Sequence, residues 1–253
     1  MTDYIVFSVK SNQYAIDIEK IKRIIPVPKV TPLPNSHVLI EGMISYEEQV
    51  IEIVDFRALV SLLPFEEELL KQFQELKQQH QFWINSLESC VHENSVFDLT
   101  TDPHQCELGK WIDNFTSYDQ HVSHILHDLD AHHKLLHHGG ASVVEHCDDK
   151  EKAQKIFQIE VSENFTHTMH DIELFMAEFE IVAASLQKLL IYQDGDTLFA
   201  IKVDKIVDIV HLEDTTLQQV QNHSKSNEFL ELEGVLEIND ALVNLIASVT
   251  LPV

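Results

Sequence analysis

Glycine is scarce in this chain, six residues in 253, and none of them falls into a phosphate-cradling loop or a G-x-S-x-G turn. Nucleotide binding through a glycine-rich loop and hydrolysis by a nucleophile elbow are therefore excluded, and the chain is not expected to be an enzyme. Cysteine is rarer still, with three residues. Cys90, Cys106 and Cys147 are an odd number with no framework spacing, which fits a reducing compartment and leaves metal ligation or redox chemistry open to them. No apolar run approaches the roughly 18 residues of a membrane span, and MTDYIVFSVK lacks the charged and apolar regions of a secretory leader, so a cytoplasmic location without membrane insertion is expected. Basic residues number 17 against 42 acidic ones, a formal net charge of -25, which repels phosphate backbones and excludes nucleic acid as a natural partner.

The excess lies in histidine. Sixteen are present, and eleven fall between His80 and His146, so the middle of the chain differs from its ends. The ends resemble each other. Residues 4–27, YIVFSVKSNQYAIDIEKIKRIIPV, align without gaps on residues 189–212, LLIYQDGDTLFAIKVDKIVDIVHL, and IEGMISYEEQVIEIV (40–54) aligns on LEGVLEINDALVNLI (232–246). Apolar residues alternate within these blocks, as in Ile5, Phe7, Val9 and Tyr14, Ile16, Ile18, which predicts half-buried strands. With no long helical crossover inside either end, two similar small β-barrels packed together are expected.

Residues 65–188 read as helices. Positions 69, 73, 76, 80, 83, 87 and 90 follow the four-three alternation of a bundle seam, as do Val122, Leu126, Leu129, His133, Leu136 and Val143, and again Phe165, Met169, Ile172, Met176, Phe179, Ala183 and Leu186. Three long helices are predicted. A short fourth, starting at Pro103 under an Asp102 cap, would carry Cys106.

Two seam positions hold histidine where leucine is usual. A buried imidazole without a partner costs about 1–3 kcal/mol, so His80 and His133 each require a hydrogen bond, a metal or a water. His137 follows His133 by one helical turn, and the two rings can grip one ion. Cys106 would complete a set of three nitrogens and one sulfur, the preference of tetrahedral zinc. A site closed by four protein ligands leaves no position for an activated water, which argues against a zinc hydrolase. His104, His121, His124, His127, His132, His138, His146, His167 and His170 are assigned to solvent or to supporting hydrogen bonds, Cys90 to packing, and Cys147 to no role. A second reading, a haemerythrin-like di-iron oxygen-sensing bundle, needs carboxylates facing inward. The seams contain none, and Asp171 with His167 falls off them.

These residues carry a resemblance. HQFW with His80, HQCELGKW with Cys106, and LDAHHKLLH with His133 and His137 resemble the chemoreceptor zinc-binding (CZB) domain across residues 65–188. YAIDIEKIKRII, IEGMISYEEQVIEIVDFRAL and FAIKVDKIVDIV resemble CheW, over residues 1–64 and 189–253. Where that family carries a stretch like NLRG this chain reads SYEE, placing Glu47 and Glu48 at the arginine and glycine, while Asp55 and Arg57 of the D-x-R tail are kept.

The resemblance implies a pair of SH3-like five-stranded β-barrels, subdomains 1–64 and 189–253, interrupted by a zinc-binding four-helix bundle at 65–188. It implies a non-enzymatic chemotaxis adaptor coupling a chemoreceptor signalling domain to a CheA-type histidine kinase. Zinc, or oxidants acting on its thiolate ligand, would be sensed in the bundle. A homodimer through the bundle is compatible with it.

Overall fold

The computed structural model describes residues 2–93, 95–212 and 228–252, and part of the 189–253 segment read as a barrel thus lies outside the described residues. The chain divides into two compact units, one formed by 1–65 with 183–253 and the other by 66–182.

Among the described residues the first unit holds ten strands: β1 (Thr2–Val9), β2 (Asn12–Asp17), β3 (Ile21–Pro26), β4 (Ile40–Tyr46), β5 (Gln49–Asp55), β6 (Lys188–Asp194), β7 (Thr197–Val203), β8 (Lys205–Leu212), β9 (Leu230–Ile238) and β10 (Ala241–Val249). They form two five-stranded sheets, ordered β8-β1-β2-β10-β9 and β3-β6-β7-β5-β4. Each sheet takes strands from both ends of the chain. The sequence repeat makes β1-β2-β3 equivalent to β6-β7-β8 and β4-β5 to β9-β10, so each repeat lends its first hairpin to the other's remaining strands.

Register follows the same symmetry. Leu245 pairs with Ala15 as Ile53 pairs with Ala200, and Ile209 pairs with Ile5 as Ile24 pairs with Leu190. The bulges repeat too: the ladder skips Lys22 in one sheet and Val207 in the other, Glu41 in one and Glu233 in the other. Subdomains 1–64 and 189–253 therefore do not each close on themselves. A repeat in sequence specifies which strands are alike, and says nothing of whether a hairpin pairs within its own copy or across to the other.

The exchange also explains why the inner strands are buried on both faces rather than half-buried. One face of β1, β2, β6 and β7 packs into a shared core containing Ile5, Phe7, Ile16, Leu190, Tyr192, Phe199 and Ile201. The opposite faces fill two smaller cores, Val6 and Ala15 with Leu236, Val243 and Leu245, and Leu189, Ile191 and Ala200 with Ile44, Ile51 and Ile53. Burying both faces favours continuous apolar runs such as Leu189-Leu190-Ile191-Tyr192 over strict alternation.

A four-residue helix, α1 (Phe56–Leu59), follows β5, with Asp55 as its cap through a bond from the Arg57 amide. Arg57 itself is buried, at 1% exposure. Its Nε and Nη2 donate to the two carboxylate oxygens of Asp204 at 2.8 Å each, Nη1 donates to the Leu63 carbonyl, and the guanidinium lies over Phe65. Asp204 also accepts from the Lys10 amide and from Gln187. Leu63, Phe65 and Gln187, all within the β-unit, thus meet on one bidentate ion pair.

The second unit is helical: α2 (Phe65–Glu93), α3 (Glu107–Asn114), α4 (Gln120–Glu145), α5 (Lys150–Ile156), a π-helical turn (Phe157–Val161), α6 (Ser162–Ala177) and α7 (Phe179–Leu186). All seven seam positions expected in α2 are buried. The expected third long helix follows a π turn and is broken at Glu178; Ile172, Phe179 and Ala183 are buried as expected, while Thr168 and Phe175 point inward where Met169 and Met176 are only partly covered. In α4, Ile125 is buried in preference to Leu126. The short helix starts at Glu107 instead of Pro103, because residues 103–105 form a turn closed by the Gln105 amide on the Asp102 carbonyl.

Aromatic rings of Phe73, Trp111, Phe115, Phe175 and Phe179 pack along one part of α2. Trp83, Leu87, Val91, Leu136, Val143, Phe157 and Val161 form the core further along it. His80 lies in sequence between these two sets. Among the described residues, no helix is long and apolar enough to cross a membrane.

Candidate metal centre

Four predicted residues come together. One donor atom from each of His80 on α2, Cys106 at the start of α3, and His133 and His137 on α4 lies within 4.8 Å of every other. A zinc ion with bonds of about 2.0–2.3 Å holds its ligand atoms roughly 3.3–3.8 Å apart, so closure needs shifts of about 1 Å or less. The Cys106 sulfur already stands 3.1 Å from His133 Nε2 and 3.9 Å from His80 Nε2.

Each donor is aimed by its local structure. The Leu76 carbonyl, one turn before His80, can only accept, so the 2.8 Å contact places the proton on His80 Nδ1 and leaves the Nε2 lone pair facing the centre. His133 and His137 share a helical face by their spacing. Cys106 has extended backbone and caps α3, its sulfur accepting from the Gly109 amide at 3.3 Å, which turns the thiol away from the helix body.

Gly109 is required there for close approach. A Cβ at that position would fall 1.7 Å from the Pro103 carbonyl oxygen and 3.3 Å from His133 Cε1. The glycine of HQCELGKW thus lets the turn, the helix start and the imidazole meet.

Burial governs the electrostatics. His80, His133 and His137 are each at most 4% exposed. Burial pushes His133 down to about 2, helped by its neighbours His137 and His80, and pushes His137 down to about 4, with His80 adding to it. His80 is lowered by the same desolvation. Burial raises the Cys106 thiol, against the opposing pull of the Gly109 and Leu108 backbone. At neutral pH the centre without metal is three neutral imidazoles and a thiol.

His133 Nδ1 and both ring nitrogens of His137 are buried without a hydrogen-bond partner. A metal held through His133 Nε2 leaves Nδ1 as it is, but it would take up one of the two His137 nitrogens and recover that part of the cost, and a divalent cation would displace the thiol proton. The donor set of imidazoles and sulfur, with no carboxylate, fits zinc and lacks the bridging groups of a di-iron pair.

Trp83 supports the site directly. Its ring packs on His137 with centroids 4.9 Å apart, and its Nε1 donates to the Thr100 carbonyl at 2.8 Å. Trp111 packs among phenylalanines and does not line the centre. A cavity of about 280 Å³ between Gln79, Phe82, Leu99 and Glu107 reaches His80, Cys106 and His137, so small molecules have a path to the donors.

Of the other histidines, His104 pairs with Asp113 at 2.8 Å and His132 with Asp171 at 2.6 Å. Asp171 is buried, contrary to expectation, because it shares a helical face with the buried Thr168 and Phe175; its partner is His132, which is not among the four clustered donors. Cys90 and Cys147, given no shared role by sequence, lie with their sulfurs 2.8 Å apart.

Residues 3–77 match the family model of the CheW-like domain, and residues 80–144 match that of the chemoreceptor zinc-binding domain. The two likenesses read from the sequence are thus both found by comparison. The second match contains all four clustered donors. None of the curated proteins matches.

Among solved structures, the scaffolding protein TtCheW from Thermoanaerobacter tengcongensis aligns at 9% identity and a TM-score of 0.45, covering 97% of this chain and 83% of that one. The regulatory CZB domain of DgcZ aligns at 15% identity and a TM-score of 0.40, covering 46% of this chain and 98% of that one.

Proposed function

We propose that this chain is a non-enzymatic chemotaxis adaptor that couples a chemoreceptor signalling domain to a CheA-type histidine kinase, and that His80, Cys106, His133 and His137 bind zinc as a regulatory input. The observation that carries the reading is the cluster of three buried imidazoles and one partly buried thiol, placed in a helical unit that interrupts a CheW-like β-unit. All four coordination positions are filled by protein, which suits a sensing or structural ion better than one that activates water.

Three helices supply the donors, so holding or losing the ion changes how α2, α3 and α4 are tied together. The helical unit is joined to the β-unit at Phe65 and at Ala183. Rearrangement of the helices is transmitted through those two connections, beside the Arg57–Asp204 pair. The cavity gives oxidants a route to the Cys106 sulfur, and loss of that ligand would have the same outcome as loss of zinc.

The test is reconstitution with a receptor signalling domain and a CheA-type kinase. Kinase output that depends on the adaptor, and that changes when zinc is stripped by a chelator and returns when it is restored, is the expected result. Output indifferent to the adaptor would remove the coupling role, and output indifferent to zinc would remove the sensing role.

A further inference from the structure

We infer that Cys90 and Cys147 are a redox pair, which closes to an intramolecular disulfide and ties α2 to the end of α4 at a second point beyond the metal centre. Their sulfurs stand 2.8 Å apart although the residues are 57 positions apart in sequence. Both are free thiols. The gap to a covalent bond of about 2.05 Å is under 1 Å, within reach of side-chain rotation.

The helix register makes the approach more than a chance contact. His80 packs against His137, Trp83 against Gly140, and Cys90 against Cys147, and the separation in sequence is the same for each pair. The two helices run in parallel with one constant offset. The thiol pair therefore lies ten residues beyond the histidine pair on both helices, about 15 Å along the axis.

The two sulfurs differ in access. Cys90 is buried at 5% exposure, whereas Cys147 is half-buried just past the end of α4, its S–H directed at the Val143 carbonyl. Burial, with Cys90 beside it, pushes the Cys147 thiol up to about 11. The reduced pair gains no stabilisation as a thiolate, the feature that makes some paired cysteines resist oxidation.

The oxidant class is a small-molecule disulfide. Cys147, as its thiolate, attacks that disulfide, forms a mixed disulfide and expels one thiol; Cys90 then attacks the Cys147 sulfur and expels the second. One S–S bond forms in the protein, two S–H bonds are lost, and the reagent leaves as two thiols carrying both protons and both electrons. None of the four metal donors takes part, so the inference stands or falls independently of zinc.

The experiment equilibrates the full chain, as isolated, in glutathione buffers of increasing oxidised fraction, then quenches with acid, alkylates free thiols and maps peptides by mass. A peptide crosslinked between Cys90 and Cys147 is expected, exceeding glutathione adducts on either residue by about tenfold, as proximity favours the second exchange. In Cys90→Ser, the same buffers should leave Cys147 carrying glutathione. Cys147 found glutathionylated beside a free Cys90 in the parent, or both thiols unmodified in the most oxidising buffer, overturns the inference.

Discussion

Trp83 occupies the space that a side chain at position 140 would need. A Cβ on Gly140 would fall 2.3 Å from Trp83 Cη2, and the same indole packs on His137 and donates to the Thr100 carbonyl. Gly140→Ala must displace the ring, and overpacking of this kind costs about 1–3 kcal/mol. Urea unfolding should show that loss together with weaker zinc retention. Gly139→Ala is the control, since its Cβ would meet the Val161 side chain at 3.2 Å and needs only a small adjustment. Equal effects of the two would show that the Trp83 contact is unimportant.

The Arg57–Asp204 pair is closed off from water and linked to the Lys10 amide, Gln187 and the Leu63 carbonyl. Removing one charge strands the other in a poorly solvated site. Arg57→Met should destabilise the β-unit by about 3–5 kcal/mol. The double variant Arg57→Met with Asp204→Asn should recover part of that, because no bare carboxylate remains. A loss under about 1 kcal/mol for Arg57→Met would mean that the pair behaves as a surface contact.

Glu47 and Glu48 join β4 to β5 in a two-residue turn, and both have positive φ, 45° and 66°. The equivalent turn between β9 and β10 uses Asn239 and Asp240, residues that tolerate this conformation better. Replacing Glu47-Glu48 by Asn-Gly should raise stability by about 1–2 kcal/mol in denaturant titration. Unchanged or reduced stability would show that the glutamates are supported in ways their backbone does not reveal. The SYEE departure thus falls where the backbone itself favours glycine.

Only part of the candidate site was legible from local spacing; His80 stood out as a histidine on an apolar seam, and Cys106 by its HQCELGKW motif. His133 and His137 are one turn apart, and the cysteine sits beside the glycine that its helix start requires. The repeat was legible from local spacing too, as ungapped blocks of alternating residues. The exchange of strands was not, since register is identical whether a hairpin pairs with its own copy or with the other. Along α6 and into α7 the spacing through Phe165, Ile172 and Phe179 is shared by two faces, and polarity favours apolar Met169 over Thr168; packing chose Thr168 and Phe175. The Cys90–Cys147 contact depends on the offset between two helices, which no single helix encodes.

Metal content of the untagged protein tests the central claim most directly, measured by elemental analysis beside Cys106→Ala and His133→Ala, with helix content checked by circular dichroism. About one zinc per chain in the parent, lost in both variants while the helices persist, is the result expected for a four-ligand site. A parent free of zinc, or folded variants that keep it, would contradict the assignment of His80, Cys106, His133 and His137.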